Sequence, residues 1–361
     1  MPSQPPLPHL LTPYISYPPQ ASLTAVSSVL GATGNWLVLR FLCAALNSST
    51  SSHTGPGFQG VEPGKKRKVV LVSFLRGWEF WRSEAKRLGL DLGRLTEKRQ
   101  FAFVDGLSEL FSPPAAPTSS PAPPQYLGAG ATPRTTPPTR LHPGHHHHAP
   151  SLASLRQPAP PPAVVDGSSH QNAKEIGPVK RLHLSGNGIG SIDELEKDVT
   201  AVINELKASR PGEDGEDSEV LLVIDQPDLL LAATGPSKGI GSTEMGEWIM
   251  GLQQAATATV VIISADSPLI HNASASAHQT ANPLETEHAA FAVGLAHRAE
   301  MVMQLRNLET GAARDVSGVL RISKGGASGQ RESTGEESWE EKEVLYFVQR
   351  DGGVNVFGRG E

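Results

Sequence analysis

The sequence predicts an α/β fold: a mostly parallel central sheet with helices on both faces, extended by antiparallel strands at its C-terminal end. Two observations lead to this prediction. Apolar runs such as Val69–Leu75 and Val220–Ile224 have the continuous hydrophobicity of strands buried on both faces of a sheet, and helical patterns separate them. After residue 300 the pattern changes to strands with no helix between them, which is typical of an antiparallel extension.

The predicted strands are apolar runs bounded by charged or turn-forming residues. In the parallel part they are Leu23–Leu30, Val69–Leu75, Phe101–Val104, Val179–Leu184, Val220–Ile224 and Thr259–Ser264. In the C-terminal part they are Glu300–Leu305, Val319–Ser323, Val344–Arg350 and Val354–Phe357. A hairpin turn at Asp351–Gly353 joins the last two.

Helices are predicted between these strands because apolar residues recur at helical spacing. The clearest apolar face consists of Trp78, Trp81, Ala85 and Leu88. Ser191–Glu194 has the Ser-x-x-Glu form of a capping box, so a helix is expected to begin there and to continue to about Leu206. The other predicted helices are Asn35–Leu46, with Asn35 as its cap, Met245–Ala255 and Glu285–Ala296.

Composition limits the domain organisation. The chain has 361 residues and a formal net charge of −6, which argues against a protein that coats nucleic acid non-specifically. Prolines concentrate at the N-terminus and in the middle of the chain. We therefore expect a disordered tail at 1–20, a disordered Pro-rich insert at 112–178, and a single domain formed by 21–111 and 179–361.

Cysteine content and hydropathy indicate the compartment. Cys43 is the single cysteine, so no internal disulfide can form, as is usual for proteins of the cytoplasm and nucleus. The N-terminus lacks the basic and apolar regions of a signal peptide. The longest apolar run, Trp36–Leu46, is shorter than the ~20 residues that a membrane span needs, so no membrane association is expected.

A phosphate-binding loop of the Walker A type is expected between the first strand and the first helix of such a fold, but the required residues are missing. The motif G-x-x-x-x-G-K-[ST] needs Lys for the phosphates and a hydroxyl for Mg²⁺. Gly31 and Gly34 stand there with the wrong spacing, Asn35 replaces Lys, and Trp36 replaces Ser or Thr. The segment is at most a degenerate phosphate loop.

Asp225 follows an apolar strand, as the Mg²⁺-binding Asp of a Walker B strand does. The alternative is that Asp225 caps the next turn, which is the commoner role of a strand-terminal Asp. Asp105 has the same context and the same two interpretations. Gly186–Gly190 resembles a dinucleotide-binding turn, but Ser191 stands where the third Gly belongs, which favours a flexible turn.

Two clusters of basic or metal-binding residues also stand out. Lys65, Lys66, Arg67 and Lys68 form a candidate basic cluster for nuclear import or RNA contact, or else a solvated turn before a strand. His145–His148 are adjacent in sequence, and adjacent ligands do not preform a closed zinc site. We therefore expect no metal site, and no cofactor.

Several stretches of the chain resemble the family of the sixth subunit of the Elongator complex. The resemblance covers about residues 23–111 and 179–360 but not the Pro-rich insert. The stretches that carry it are Val69–Arg76, Gly77–Trp81, Gly89–Leu92, Phe103–Leu107, Val220–Leu229, Val319–Gly326 and Leu345–Gly352.

The resemblance implies a RecA-like domain that has lost its nucleotide-binding motifs. It also implies assembly with two related subunits, the fourth and fifth, into a hexameric ring. That ring binds tRNA and supports wobble-uridine modification by another subunit of the complex. RecA-like domains direct the loop after a late core strand toward the ring channel, which here is Asp266–Pro283. The candidate tRNA-facing residues are therefore His271, Asn272, His278 and Gln279.

The predicted function is thus that of a non-catalytic, tRNA-presenting ring subunit with no catalytic residue. Two alternatives stay open at this stage. One is a RecA-like ATPase that uses Asp225 with the degenerate phosphate loop. The other is a dinucleotide-dependent Rossmann enzyme that uses Gly186–Gly190.

Overall fold

The computed structural model describes residues 7–16, 18–47, 67–112, 177–186, 188–208, 218–270, 282–309, 311, 313–331 and 339–358. The structural statements that follow refer to these residues, which belong to one compact unit. Apart from its ends, the predicted Pro-rich insert lies outside them.

The described residues form one ten-stranded sheet and its flanking helices. The strands are β1 (Ser22–Ser28), β2 (Arg67–Ser73), β3 (Phe101–Asp105), β4 (Lys180–Arg181), β5 (Glu219–Asp225), β6 (Ala258–Ser264), β7 (Met301–Arg306), β8 (Gly318–Lys324), β9 (Lys342–Val348) and β10 (Val354–Gly358). The helices are α1 (Thr12–Ile15), α2 (Asn35–Asn47), α3 (Trp78–Arg87), α4 (Leu92–Glu97), α5 (Ile189–Lys207), α6 (Asp228–Thr234), α7 (Ser242–Ala255), α8 (Ser267–Ile270), α9 (Pro283–Arg298) and α10 (Ser328–Arg331).

The sheet order is β10-β9-β8-β7-β1-β6-β5-β2-β3-β4. The seven strands from β7 to β4 in that order pair in parallel, whereas β8, β9 and β10 join by antiparallel pairing. The predicted α/β architecture, mostly parallel with an antiparallel C-terminal extension, is confirmed. β1 lies inside the sheet between β6 and β7, so the carboxyl end of the first strand is flanked by later strands.

Side chains alternate between two buried layers, as the pleat of a sheet requires. On one face Leu71 and Val260 pack with α1–α4, and this layer includes Trp81 and Phe41. On the other face Val72 and its neighbours pack with α5, α6, α7 and α9. The continuous apolar runs of the central strands therefore arise because both faces are covered.

Part of the predicted N-terminal tail is folded. Residues 7–16 contain α1, and Leu11 and Ile15 are completely buried against the first layer. The prediction of disorder for 1–20 is therefore wrong over this stretch. Pro13 stands in the first turn of α1, where a proline costs no helical hydrogen bond, so proline content misled the prediction.

Two helix starts also differ from prediction. α5 begins at Ile189 after Gly188, and the Ser191 hydroxyl lies inside the helix and donates to the Gly188 carbonyl, so Ser191 does not head a capping box. Asn35 is the first residue of α2 rather than its cap, and its side-chain oxygen accepts a hydrogen bond from the Thr33 hydroxyl at 2.7 Å. Within the described residues, no helix combines the length and hydropathy that crossing a bilayer requires.

Candidate functional site at the carboxyl edge of the sheet

Polar side chains end neighbouring strands at the carboxyl edge of the parallel sheet. The register places Ser73 of β2 beside both Asp105 of β3 and Asp225 of β5. Ser28 of β1 likewise lies beside Ser264 of β6. Open α/β sheets bind their ligands outside this edge, so these residues define the candidate site.

Asp225 is completely buried and forms an ion pair with Arg76. Nη1 of Arg76 lies 3.0 Å from Oδ1 and 3.1 Å from Oδ2 of Asp225. The Ser73 hydroxyl donates to Oδ2 at 2.8 Å, and the Arg76 amide donates to the Ser73 oxygen at 3.1 Å. Both carboxylate oxygens that a Mg²⁺ ion would use are therefore already hydrogen-bonded within the chain.

Burial dominates the electrostatics of Asp225. Desolvation raises the pKa of this carboxyl, and the nearby Asp228 acts in the same direction. The positive charge of Arg76 and the hydrogen bonds from Ser73 and Arg76 oppose that rise in the pKa. Arg76 is itself only 15% exposed at its side chain, and its guanidinium lies over the rings of Phe80 and Trp81. The cation is thus held in place by α3.

Asp105 takes the alternative role of capping the turn after its strand. Its Oδ1 accepts from the amides of Leu107 and Ser108, both at 2.9 Å, and its Oδ2 accepts from the Ser108 hydroxyl at 2.7 Å. The capping interpretation therefore holds for Asp105. For Asp225 neither the metal-binding nor the capping interpretation describes the geometry, because the Arg76 guanidinium binds its carboxylate.

The turn after β5 is strained and firmly held. Gln226 has φ of 58°, which is unusual for a residue with a side chain and more so before a proline. Its amide donates to the Ile262 carbonyl, and its side-chain oxygen accepts from the Ser264 hydroxyl at 2.7 Å. The Ser264 amide in turn donates to Oδ2 of Asp228 at 3.3 Å. These bonds fasten the β5–α6 turn to the end of β6.

The degenerate phosphate loop is a tight turn. Gly31 has φ of +91°, and the Ala32 amide donates to the Val29 carbonyl at 2.9 Å. The Leu30 amide donates to the Asp266 carboxylate at 2.9 Å, so this donor already has a partner and a negative charge lies beside the turn. A Cβ on Gly34 would meet the Ile262 side chain at 3.3 Å. This geometry does not provide the cradle of amides that a phosphate loop needs.

The glycine-rich turn before α5 lacks the context of a dinucleotide site. The preceding strand, β4, consists of Lys180–Arg181 and ends several residues before the turn. Gly186 and Gly188 both have positive φ, and the Gly188 amide donates to the Lys238 carbonyl at 2.7 Å. The glycines here allow a chain reversal next to the α6–α7 connection, which supports the flexible-turn interpretation.

Two members of the candidate basic cluster have structural partners. Arg67 and Lys68 begin β2 rather than forming a turn before it. Arg67 is 8% exposed and pairs with Glu219 at 3.2 Å, and Lys68 donates to the Leu206 carbonyl at 2.6 Å.

Several predicted site residues lie outside the described residues. They are Lys65 and Lys66 of the basic cluster, His145–His148, and the candidate tRNA-facing residues His271, Asn272, His278 and Gln279. Of the predicted loop Asp266–Pro283, residues Ser267–Ile270 form α8 and Pro283 begins α9.

Sequence reasoning missed two residues at this edge. Arg76 lies in the turn after β2, and nothing in its local pattern shows that it reaches a carboxylate on β5. His288 of α9 is buried beside Asp228 and lies 60 residues from it in the chain. Asp228 lies within Val220–Leu229, one of the stretches that carry the resemblance, but no local pattern links it to His288. Among the described residues, no group of three or more His, Cys, Asp or Glu side chains is arranged to hold a metal ion.

No protein-family model matches this chain, and no curated protein matches it in sequence.

Proposed function

We propose that this chain is a non-catalytic, RecA-like ring subunit of the kind found in the Elongator complex. The ion pair between Arg76 and Asp225 is the observation that carries the proposal. A nucleotide-hydrolysing member of the fold needs a free carboxylate at this strand end to hold Mg²⁺. In this chain the guanidinium of Arg76, which precedes the N-terminus of α3, neutralises the Asp225 carboxylate.

The rest of the carboxyl edge supports the same proposal. The loop between β1 and α2 is a tight turn, and its Leu30 amide donates a hydrogen bond to the Asp266 carboxylate. The negative charge of that carboxylate disfavours a bound phosphate. The mostly parallel sheet with an antiparallel extension is the architecture that the resemblance implies. A protein that keeps this architecture without a nucleotide site fits a role in assembly.

Exposed apolar side chains at the same edge support a role in assembly. Leu75, Leu107, Phe111 and Ile189 follow the carboxyl ends of β2, β3 and β4, and each is at least 41% exposed. We call these four residues the apolar rim. Exposed apolar side chains that follow several strand ends at one edge of a sheet provide surface for a protein–protein interface. We propose that the rim contacts a neighbouring subunit related to the fourth or fifth subunit of Elongator.

The ring assembled in this way would bind tRNA and support wobble-uridine modification, as the resemblance implies. In this proposal most neutralisation of tRNA phosphates comes from partner subunits, because the chain carries a net charge of −6. Photo-crosslinkers at His271 and His278 in a ring with bound tRNA test the proposed loop. Crosslinks from Lys65 or Lys66 and none from the loop would contradict it.

Co-purification tests ring assembly. The chain is co-expressed with the fourth and fifth Elongator subunits, and the complex is isolated by size exclusion. The double variant Leu107→Glu, Phe111→Glu is expected to fold but to lose at least about tenfold in ring formation, because two charges would be buried at the interface. The control is Val293→Glu on α9, a residue of similar exposure away from the rim. Equal assembly of all three proteins, or of none, would contradict the proposal.

A further inference from the structure

A cavity lies at the amino edge of the sheet, opposite the edge that holds the candidate site. It opens between the start of β3 and the last turn of α5, and its volume is about 140 Å³. Four buried apolar residues form its floor: Phe101, Ala102, Val202 and Leu206. We call this space the amino-edge cavity. None of the residues that line it belongs to the carboxyl edge.

Two opposite charges line the same cavity. Arg99, in the turn before β3, and Glu205, in the last turn of α5, are both exposed. Among the described residues, neither side chain forms an ion pair, so each is available to a charged group of a ligand. A guanidinium donates two parallel hydrogen bonds to a carboxylate, and a carboxylate accepts hydrogen bonds from an ammonium group.

Hydrogen bonds hold the walls of the cavity in place. Arg99 has φ of 55°, and its amide donates to the Thr96 carbonyl at 3.0 Å, which closes the turn after α4. Lys68 of β2 donates to the Leu206 carbonyl at 2.6 Å, which ties the end of α5 to the sheet. Because both walls are fixed before a ligand arrives, binding costs little conformational entropy of the protein.

The size of the cavity limits the class of ligand. An apolar cavity of about 150 Å³ holds a benzene molecule, whereas pockets for drug-sized ligands and cofactors measure about 300–1,000 Å³. The amino-edge cavity is therefore too small for a nucleotide, and Glu205 would repel the phosphates of one. The floor accepts a compact apolar group, and the two exposed side chains accept one negative and one positive charge.

We propose that the amino-edge cavity binds a free α-amino acid with a compact apolar side chain, such as leucine. The ligand carboxylate binds the Arg99 guanidinium, its ammonium group binds the Glu205 carboxylate, and its side chain packs on Phe101 and Val202. An α-amino acid carries all three of these groups on one carbon atom. This site goes beyond the proposed function and does not depend on ring assembly or on tRNA.

Titration of the full chain with L-leucine, followed through amide chemical shifts by nuclear magnetic resonance, tests both binding and its location. We expect a Kd of about 1 mM or less, with the largest shifts at residues that line the cavity. Two analogues isolate the charges, because isocaproate lacks the ammonium group and isoamylamine lacks the carboxylate. Each should bind at least about tenfold more weakly than leucine. Equal binding of all three compounds, or no saturation with leucine up to about 10 mM, would overturn the proposal.

Substitutions at the rim assign each charge of the ligand to its partner. Arg99→Gln and Glu205→Gln are each expected to weaken leucine binding at least about tenfold. In Arg99→Gln leucine should no longer bind more tightly than isoamylamine, because the ligand carboxylate has lost its partner. In Glu205→Gln leucine should likewise lose its advantage over isocaproate.

The matched controls are Lys98→Gln and Glu97→Gln, at exposed neighbouring positions that do not line the cavity. Both should retain the leucine affinity of the unmodified chain. All four substituted positions are exposed, so the variants are expected to fold, and their melting temperatures check this. Leucine affinity that is unchanged in Arg99→Gln and Glu205→Gln, or lowered equally in the controls, would refute the site.

Discussion

A carboxylate at the end of a buried strand can bind a metal, the amides of the next turn, or a basic side chain. In this chain Asp105 binds the amides of its turn, and Asp225 binds Arg76 and Ser73. Ser73 of β2 lies beside both carboxylates in the register, so the difference arises from the turns: Arg76, in the turn after β2, binds Asp225, whereas the turn after β3 supplies the amides that bind Asp105. The same type of residue at the same kind of strand end thus has two structural roles.

The Asp225→Ala substitution measures the role of that ion pair. We expect the free energy of unfolding to fall by about 3 kcal/mol, because Arg76 would keep its mostly buried position without a carboxylate. Urea unfolding followed by tryptophan fluorescence measures this. The control Glu79→Ala, which removes an exposed pair with Arg82, should change stability by less than about 1 kcal/mol.

We also expect no ATP turnover by the unmodified chain. Turnover that Asp225→Ala abolishes would contradict the proposed function.

Cys43 is expected to be unreactive in the folded chain. Burial raises the pKa of its thiol to about 11, although the nearby Arg40 acts to lower it. At pH 8 the thiolate fraction is then about a hundredfold below that of an ordinary cysteine. Because the unfolded chain ionises first, stability due to this group is present at neutral pH and is lost as pH rises toward 11. Titration with a disulfide reagent should find no thiol in the native chain and one in denaturant; rapid native labelling would contradict this.

At the level of elements, the turn before α2 offers a direct test of the degenerate phosphate loop. Trp36 is 5% exposed and packs with its ring 4.9 Å from that of Tyr346. Asn35→Lys with Trp36→Ser introduces the residue types of a phosphate loop. We expect no nucleotide binding and a loss of about 3–5 kcal/mol in unfolding free energy, because a large cavity replaces the indole. Asn35→Lys alone is the control and should be nearly neutral. Fluorescent-nucleotide titration measures binding, and affinity gained by the double variant would show the loop to be functional.

The elements that sequence could predict are those whose burial leaves a periodic pattern. β5 and β6 were located within one residue at either end, because strands covered on both faces are continuously apolar. α1 was missed because its four residues are too few to show a helical period, and prolines surround them. The start of α5 was misplaced because Ser191 has the form of a capping residue, yet Gly188 supplies the positive φ that the chain needs before the helix.

The candidate site was only half predictable for a different reason. Asp225 was visible as the end of an apolar strand, but its partner Arg76 is about 150 residues away in the chain and becomes its neighbour only through the sheet order. The pairing of β2 with β5 places them together, and no local pattern encodes that pairing. His288 and Asp228 meet for the same reason, through the packing of α6 and α9.

At the level of the whole molecule, the described residues that precede and follow residues 113–176 lie next to each other in the fold. The Leu184 amide donates to the Leu110 carbonyl at 2.6 Å, and the Val179 amide donates to the Phe103 carbonyl at 2.9 Å. The two ends of the intervening stretch are therefore held together by the described residues on either side. Loop-closure entropy changes slowly with loop length, so the length of the connection between these two ends is expected to matter little for stability.

We therefore expect that replacing residues 113–176 with a short Gly/Ser linker leaves the domain folded, whereas deleting residues 1–16 does not. The replacement keeps Val179 and its bond to β3, so the melting temperature should change by no more than about 4 °C, equivalent to about 1–2 kcal/mol for a domain of this size. Deleting 1–16 removes Leu11 and Ile15, two completely buried side chains, and exposes the first layer beneath α1. Each lost side chain costs about 2–5 kcal/mol, so together they approach the entire stability of an ordinary domain. Differential scanning calorimetry on both variants makes the comparison, with deletion of 1–6 as the control for shortening the N-terminus. If the linker replacement unfolded the domain and the 1–16 deletion did not, then the stretch between β3 and β4, rather than the N-terminal helix, would be part of the core.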